Sequence, residues 1–185
     1  MDIPANIRRR RLAHSLSLEA LAVRAGVSRA MLSDIERGSK NPTVKLLCNI
    51  AAALDCTVSD LLGEATPAAL APISLVRAGD RQRLIDPQSG IERHLLAPAF
   101  VARGLEVIWY TIPPHTESDV FPPHPPGTAE HLTLVTGTLV CRLGAQAIAL
   151  APGDSLSFQA DVPHAFANPG AEPCAYFLLI DSRRA

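Results

Sequence analysis

The residues of the first half that are best suited to recognition chemistry lie on one face of a short predicted helix. Ser28 is a good N-cap for the segment from Arg29 to Arg37, and Gly38 ends it. The apolar residues of this segment share one side, so its other side chains face outward. These outward positions are Arg29, Ala30, Ser33 and Asp34. Short and polar side chains on the first turns of a helix can hydrogen-bond to base edges in a major groove, which favours nucleic-acid recognition.

Other short helices must hold this segment in place. Ser17 caps a helix that Gly26 ends, and the tight turn Ala25-Gly26-Val27 joins it to the next one. Two short helices joined in this way form the helix-turn-helix pattern. A longer helix opens at Asn41-Pro42-Thr43, and a last helical turn runs from 58 to 62.

Over residues 7 to 62 the chain resembles the lambda-repressor-like helix-turn-helix family, also called the XRE family. The motifs that carry the resemblance are Leu16-Ser17-Leu18-Glu19-Ala20-Leu21-Ala22, Ala25-Gly26-Val27-Ser28, Leu32-Ser33-Asp34-Ile35-Glu36-Arg37-Gly38 and Asn41-Pro42-Thr43. The resemblance implies a five-helix DNA-binding domain. The DNA-binding residues that it implies are Ser28, Arg29, Ala30, Ser33 and Asp34 at base edges and Arg37, Lys40 and Asn41 at phosphates.

The resemblance also implies a buried ion pair between Arg11 and Glu36. The chain departs from the family's pattern at two positions. Arg10 stands where the first helix usually carries an apolar residue, and Asp34 stands where a basic or amide residue is common. A carboxylate at that position repels phosphate but can accept a hydrogen bond from cytosine. Ser28 has an alternative role as a plain N-cap.

From Glu64 the composition changes to alanine and proline, which predicts a linker over residues 65–73. Short runs of β-forming residues follow, separated by glycine, proline, asparagine and aspartate, and this pattern is typical of an all-β sandwich or barrel. The predicted strands are Leu105 to Ile112, His131 to Val135, Thr138 to Leu143, Ala147 to Leu150, Ser155 to Phe158 and Ala175 to Ile180.

The β-rich half resembles the cupin family, whose two motifs supply metal ligands to a double-stranded β-helix barrel. His124, Glu130 and Gly137 match the first motif, and His164 matches the second together with Gly153 and Asn168. The second histidine of the first motif is replaced by Pro126.

The resemblance therefore implies a metal site of two imidazoles and one carboxylate, with one of the usual ligands missing. These donors suit Zn, Fe, Mn or Ni and leave positions open for a ligand, while weak metal binding or none is the alternative. His115 and His131 are possible replacements, although strand alternation points His131 away from Glu130. His94 and His14 are interpreted as ordinary surface residues.

Five aromatic residues are expected to line or fill the barrel. Core packing is the default expectation for them, and the predicted effector pocket is formed by Trp109, Phe158 and Phe166. The proline-rich segments around residues 113–114 and 122–126 are interpreted as rigid loops at the mouth of this pocket.

Composition and charge limit the class of protein. A hydrophobic fraction of 48% argues against disorder, and no apolar run is long enough to span a bilayer. The four cysteines form no CxxC pair, which is typical of reduced thiols, and no secretory signal is recognised, so we expect a cytoplasmic protein. Residues 1–64 carry a net charge of +2 and residues 65–185 carry −3, which permits DNA binding by the first half.

Together these observations predict an α-helical domain at 1–64, a linker at 65–73 and a cupin sensor domain at 74–185. The expected function is sequence-specific transcriptional regulation by a homodimer, controlled by a small-molecule effector and by a divalent metal if one is bound. The alternative is a metal-dependent cupin oxygenase or isomerase in which His124, Glu130 and His164 form an iron site.

Overall fold

The computed structural model describes residues 2–63 and 73–183. The chain divides into two compact units, Met1–Ala65 and Thr66–Ala185. Residues 65–72 of the predicted linker lie outside the described residues. The first unit is helical and the second consists mainly of antiparallel strands in two sheets, so the predicted order, an α-helical domain followed by an all-β domain, is confirmed.

Five helices form the first unit: α1 (Ile3–Ala13), α2 (Leu18–Ala25), α3 (Arg29–Glu36), α4 (Val44–Ala53) and α5 (Val58–Leu61). Each begins after an Asp, Ser or Thr whose side chain accepts a hydrogen bond from a backbone N–H in the first turn. Gly26 ends α2 in the left-handed conformation at φ 66°, a geometry that favours glycine because it has no Cβ. None of the described helices is long and apolar enough to cross a membrane.

A single apolar core holds the five helices together. Its fully buried side chains come from every helix and include Ile7, Leu21, Leu32, Ile35, Leu47, Ile50 and Leu61. Leu32 and Ile35 point into this core from α3, which leaves the opposite face of α3 free to contact a ligand.

Ten strands form the second unit, together with two short 3-10 helices. They are β1 (Gln82–Ile85), β2 (Glu92–Leu95), β3 (Leu105–Ile112), β4 (Thr116–Glu117), β5 (Ala129–Thr136), β6 (Leu139–Leu143), β7 (Gln146–Leu150), β8 (Ser155–Gln159), β9 (His164–Asn168) and β10 (Cys174–Asp181).

Two antiparallel sheets carry these strands. The six-stranded sheet has the order β1-β2-β3-β10-β5-β8, and the four-stranded sheet has the order β4-β9-β6-β7. Buried residues alternate along β3, so Ile108, Tyr110 and Ile112 enter the core of the unit while their neighbours face the other way. Cys141 and Phe166 of the four-stranded sheet belong to the same core.

The six predicted strands correspond to β3, β5, β6, β7, β8 and β10, with ends that differ by at most two residues. The strands β1, β2, β4 and β9 were not predicted. Every residue of β9 is buried, so it lacks the alternation of a half-exposed strand, and β4 has only two residues. The unpredicted β9 matters most, because its first residue is His164.

Candidate DNA-binding surface and metal centre

The outward face of α3 is accessible to solvent. Ser28, Arg29 and Ala30 are exposed, while Ser33 and Asp34 are half-buried. The hydroxyl of Ser28 accepts a hydrogen bond from the backbone N–H of Met31 at 3.1 Å, as expected of an N-cap. Free backbone N–H groups at this end of a helix also favour anions.

Arg29 extends from the start of α3 into solvent. Its side chain is 68% exposed, and Nε lies 3.9 Å from a carboxylate oxygen of Glu19 on α2. A contact that long between two exposed groups is weak in water, so the guanidinium can turn to another acceptor at little cost.

Arg37 lies over the exposed face of α3 rather than extending away from it. Its guanidinium donates to the hydroxyl of Ser33 at 2.7 Å and to the carboxylate of Asp34 at 2.5 Å. The Asp34 carboxylate therefore lies beside a positive charge, which offsets its repulsion of phosphate. The spacing of three and four residues on a helix could have indicated this cluster in the sequence. Lys40 and Asn41 are exposed in the turn between α3 and α4.

An ion pair beneath this surface joins α1 to the end of α3. Arg11 donates to both carboxylate oxygens of Glu36, at 2.7 and 2.9 Å, and to the carbonyl of Leu16 at 2.8 Å. The two side chains are 9% and 7% exposed. The hydrogen bond to Glu36 raises the pKa of Arg11 above its ordinary value, so the guanidinium stays charged. The structure thus contains the ion pair that the family resemblance implied.

The departure at Arg10 also has a structural explanation. Arg10 pairs with Asp60 of α5 at 3.0 Å. The same Asp60 forms a capping box with Thr57 at the start of α5, where each residue's side chain accepts a hydrogen bond from the other's backbone N–H. A charged residue therefore replaces the usual apolar one and links the first helix to the last.

In the second unit, three predicted ligands lie together. His124 is in the loop between β4 and β5, Glu130 is on β5, and His164 begins β9. The Nε2 atoms of His124 and His164 lie 3.1 and 3.5 Å from the same oxygen, Oε1 of Glu130. Ligand atoms bound to one ion at about 2.1 Å are roughly 3 to 3.5 Å apart in octahedral or tetrahedral geometry, so this spacing suits a shared metal.

Backbone hydrogen bonds hold the loop that carries His124. The backbone N–H of His124 donates to the carbonyl of Ala160 at 2.8 Å, and the N–H of Phe121 donates to the carbonyl of His164 at 2.7 Å. The loop is thus fixed to β9 and to the end of β8. These contacts bring residues 124 and 164, which are forty positions apart in sequence, to one site.

The hydrogen bonding of this cluster also fits a cation. Glu130 is 2% exposed, and its Oε2 atom is buried without a hydrogen-bond partner among the described residues. A buried, unpaired carboxylate oxygen is costly unless a cation or a proton accompanies it. Nδ1 of His164 lies 2.9 Å from the carbonyl of Val162, so Nδ1 carries the hydrogen and the lone pair of Nε2 points towards Glu130.

Three phenylalanine rings surround His164. The ring centroids of Phe121, Phe158 and Phe166 lie 5.6, 5.8 and 5.9 Å from the imidazole of His164. Glu130 and His164 are almost fully buried, while the side chain of His124 is 30% exposed and marks the open side of the cluster. The imidazole and carboxylate groups thus converge beside three phenylalanine rings, with His124 on the more exposed side.

The comparisons with known proteins agree with the family resemblances of both halves of the chain. A helix-turn-helix family model, HTH_3, matches residues 7–61, and a cupin-domain model, Cupin_2, matches residues 108–180. The HTH-type transcriptional regulator SutR of Escherichia coli (strain K12) is 30% identical over 172 residues, which cover 91% of this chain and 88% of SutR. The chain belongs to the XRE family of transcriptional regulators that carry a cupin domain.

Solved structures resemble this regulator over its whole length. An HTH_3 family transcriptional regulator from Vibrio cholerae is 28% identical with a TM-score of 0.80, covering 99% of this chain and 96% of its own. The iron(II) form of HppE gives a TM-score of 0.52 at 18% identity and covers 97% of each chain. The likeness to HppE concerns the fold alone.

The prediction that Trp109 lines the effector pocket is wrong. Trp109 lies between Ile108 and Tyr110 on β3, and those two residues point into the core, so Trp109 points to the outer face of the six-stranded sheet. There it packs edge-on against Phe177, with ring centroids 4.8 Å apart. Only Phe158 and Phe166 of the predicted pocket residues are beside the histidine cluster.

The remaining histidines of the regulator's second unit lie elsewhere. His131 is exposed and bonds to the hydroxyl of Ser157 at 2.7 Å, in agreement with strand alternation. His115 is exposed in the turn after β3 and is not among the three clustered residues. His94, interpreted from the sequence as an ordinary surface residue, has a partner: its Nε2 lies 3.0 Å from the carboxylate of Glu92 on the same strand face.

Proposed function

We propose that this DNA-binding regulator reads its operator with the outward face of α3. The observation that carries the proposal is the exposure of this face, held in place by the buried Leu32 and Ile35. Base-edge contacts come from Ser28, Arg29, Ala30, Ser33 and Asp34, and phosphate contacts come from Arg37, Lys40 and Asn41. The DNA target of such a protein is in the cytoplasm, where we expect it to act.

Arg29→Ala tests this proposal. A bidentate arginine contact to guanine contributes about 1–3 kcal/mol, so the variant is expected to bind its operator about 5- to 150-fold more weakly and to accept other bases at one position. The measurement is binding to a randomised library of duplexes. Arg24→Ala, an exposed arginine on α2, is the matched control. Unchanged affinity and preference in Arg29→Ala would show that α3 does not read the site.

We infer that His124, Glu130 and His164 hold a divalent metal, with Zn, Fe, Mn and Ni as the candidates. Two observations support this inference: the buried Oε2 atom of Glu130 has no hydrogen-bond partner in the described parts of the chain, and the His164 ring is oriented towards Glu130. A bound metal would act as a Lewis acid with open positions for an oxygen or nitrogen ligand. The residues of the chain would fix those positions and exclude water with the surrounding phenylalanines.

Elemental analysis of the purified full-length protein tests the metal site. We expect about one equivalent of metal in the wild type and a loss in His164→Ala, while His131→Ala, which removes an exposed histidine, retains it. Because His164 lies in the core, Glu130→Gln provides a second variant that keeps the shape of the side chain. Equal metal content in the wild type and in both cluster variants would refute the ligand set.

The proposed effector is a small molecule that binds between the cluster and the rings of Phe158 and Phe166. It would control DNA binding only if its affinity differs between the DNA-bound and free forms, because a ligand of equal affinity shifts nothing. Screening compounds that coordinate metals, with operator affinity as the readout, tests this role. A compound that binds and leaves operator affinity unchanged is not the effector.

A second candidate function is metal-dependent catalysis in the second unit. Two histidines and one carboxylate with open positions are the ligand pattern of non-haem iron oxygenases, and this cluster has that composition. Iron-loaded protein that consumes oxygen in the presence of a candidate substrate, with loss in Glu130→Gln, would support it. Oxygen consumption no greater than that of free iron would argue against it.

We also propose that the regulator acts as a homodimer through the outer face of its six-stranded sheet. Operators of lambda-repressor-like proteins contain two half-sites, so a second copy supplies the second α3. On the outer face the exposed apolar residues are Ile85, Val135 and Phe177, which are 45%, 39% and 43% exposed. With six strands about 4.8 Å apart and up to eight residues long, one face of this sheet has an area of roughly 600 Å². A standard interface buries about 800 Å² on each partner, which is of similar size.

Polar side chains beside this apolar patch are already paired within the chain. Thr133 bonds to Ser155 at 2.8 Å on one side, and Arg83 pairs with Glu92 at 2.6 Å on the other. Burying the face against a second copy therefore leaves few unsatisfied groups. Sedimentation tests the proposal: we expect a dimer for the wild type, a monomer for Phe177→Glu, and a dimer for the control Val23→Glu on α2. If Phe177→Glu remains a dimer, the outer face of the six-stranded sheet is not the interface.

A further inference from the structure

Four consecutive arginines, Arg8 to Arg11, lie on α1, and the structure divides them into two groups. Arg10 and Arg11 are engaged in the ion pairs with Asp60 and Glu36. Arg8 and Arg9 are exposed, and neither forms an ion pair with any residue in the described parts of the chain. The fold therefore accounts for two of the four charges and leaves two facing solvent.

The two exposed arginines line a groove. This groove, of about 690 Å³, lies between one side of α1, from Pro4 to Leu12, and the end of α3 with the turn that follows it, where Arg37 lines it. Two carboxylates also line it, but both are engaged: Glu36 accepts from Arg11, and Asp2 caps α1 by accepting from the N–H of Ala5. The groove thus presents the guanidinium groups of Arg8 and Arg9 to an incoming anion, beside that of Arg37, which also pairs with Asp34.

The groove begins where the DNA-reading face of α3 ends. Arg37 follows Ser33 by four residues and donates to its hydroxyl, so Arg37 continues the face that carries the base-edge candidates. A duplex lying against α3 would pass over Arg37 and then over Arg8 and Arg9. Guanidinium groups bind phosphate oxygens through paired hydrogen bonds and contact no base from such a position.

We propose that the groove between α1 and the turn after α3 binds the phosphate backbone of DNA that flanks the bases read by α3. Arg8 and Arg9 are the ligands on α1, and Arg37 is shared between the groove and α3. The proposal rests on the reading of DNA by α3 and adds a phosphate site outside the base-contacting residues. Its contribution is independent of sequence and sensitive to salt.

The salt dependence of operator binding by the full-length Arg8→Ala/Arg9→Ala variant tests the proposal. Each phosphate contact contributes about 0.9 to the slope of log affinity against log salt, so the variant is expected to have a slope smaller by about 2. In consequence it loses about tenfold less affinity than the wild type between 50 and 200 mM salt. Base preference is expected to stay the same.

Two further variants control for charge and folding. Arg77→Ala/Arg103→Ala removes the same net charge from exposed positions of the second unit and should leave the slope within 0.5 of the wild type, on the order of half a contact. Arg8→Lys/Arg9→Lys keeps the charges and should retain most of the slope. The proposal is overturned if Arg8→Ala/Arg9→Ala does not reduce the salt slope, or if Arg77→Ala/Arg103→Ala reduces it equally.

Duplex length identifies the source of the phosphate. Trimming the operator to the base-contacted positions should weaken the wild type and leave Arg8→Ala/Arg9→Ala unaffected, since the variant has no flanking contact to lose. Saturable binding of inorganic phosphate to the DNA-free wild type, abolished in the variant, would instead make the groove a free-anion site. If Arg29→Ala does not change operator binding, the proposal that α3 reads the bases is refuted. If Arg29→Ala weakens binding but Arg8→Ala/Arg9→Ala leaves the salt dependence unchanged, only the phosphate site in the groove is refuted.

Discussion

Removing the carboxylate of Glu36 is the sharpest test of how α3 is held against α1. In Glu36→Ala the Arg11 guanidinium keeps the carbonyl of Leu16 and loses both of its hydrogen bonds to the carboxylate. Arg11 remains charged, because its pKa is high and none of the other described residues forms an ion pair with it. The side chain is 9% exposed, so water replaces the lost partner only if the packing between α1 and α3 opens.

Removing one partner of a buried ion pair costs about 3–5 kcal/mol, mainly because the other charge is left uncompensated. For a unit of about 60 residues, 1 kcal/mol corresponds to roughly 4–8 °C in melting temperature, so the expected fall is at least ~12 °C. A unit of this size has a total stability of only about 3–9 kcal/mol. Glu36→Ala is therefore expected to be close to unfolded at 37 °C.

Circular dichroism at 222 nm follows this change in the full-length protein, because all the α-helices of the described residues lie between Ile3 and Leu61. The control is Glu19→Ala, which removes an exposed carboxylate from α2. Arg11→Met/Glu36→Leu removes both charges and should recover much of the lost stability. A helical transition of Glu36→Ala within 1 °C of that of Glu19→Ala would refute the role assigned to the pair.

Three further predictions concern other parts of the molecule. Asp34→Ala and Arg37→Ala are expected to be coupled in operator binding by about 0.5–1 kcal/mol in a double-mutant cycle, and additive effects would show that the pair does not act as a unit. Gly137→Ala should destabilise the second unit more than Gly153→Ala. Both glycines have a positive φ, but only at Gly137 would an added Cβ clash, at 2.6 Å from the Cα of Cys174. Fluorescence of the single tryptophan during unfolding measures the difference. Burial raises the pKa of Cys141 to about 12, so its thiol stays protonated at pH 8. We expect Cys141 to react with a thiol reagent only after unfolding, and rapid labelling of Cys141 in the native protein would contradict this.

Local signals in the sequence predicted where α2, α3, α4 and α5 begin, but they gave no bounds for α1. Ser17, Ser28 and Thr43 are N-caps that hydrogen-bond within their own first turn, and Gly26 meets a local need for positive φ. Such signals depend on neighbours three or four positions away, so they are visible in the chain. The long alternating strand β3 was predicted for the same reason.

The predicted ligands of the cupin site came from matched motif positions, and the structure brings them to one place. What the motifs leave open is whether Glu130 has another partner, which depends on everything packed around it. Only the folded unit shows that its Oε2 atom has no hydrogen-bond partner among the described residues and that a carbonyl orients His164.

The roles of several other residues depend on tertiary packing. Trp109 was assigned to the pocket because it is aromatic, but the face that a strand residue occupies depends on which neighbours are buried. Arg10 and Asp60 are fifty positions apart, and only the packing of α5 against α1 makes them a pair. The sequence records residue types and local spacing, whereas pairing between distant segments depends on how the helices and strands pack around their cores. The packing of α1 against the other helices is also what places Arg8 and Arg9 at a groove.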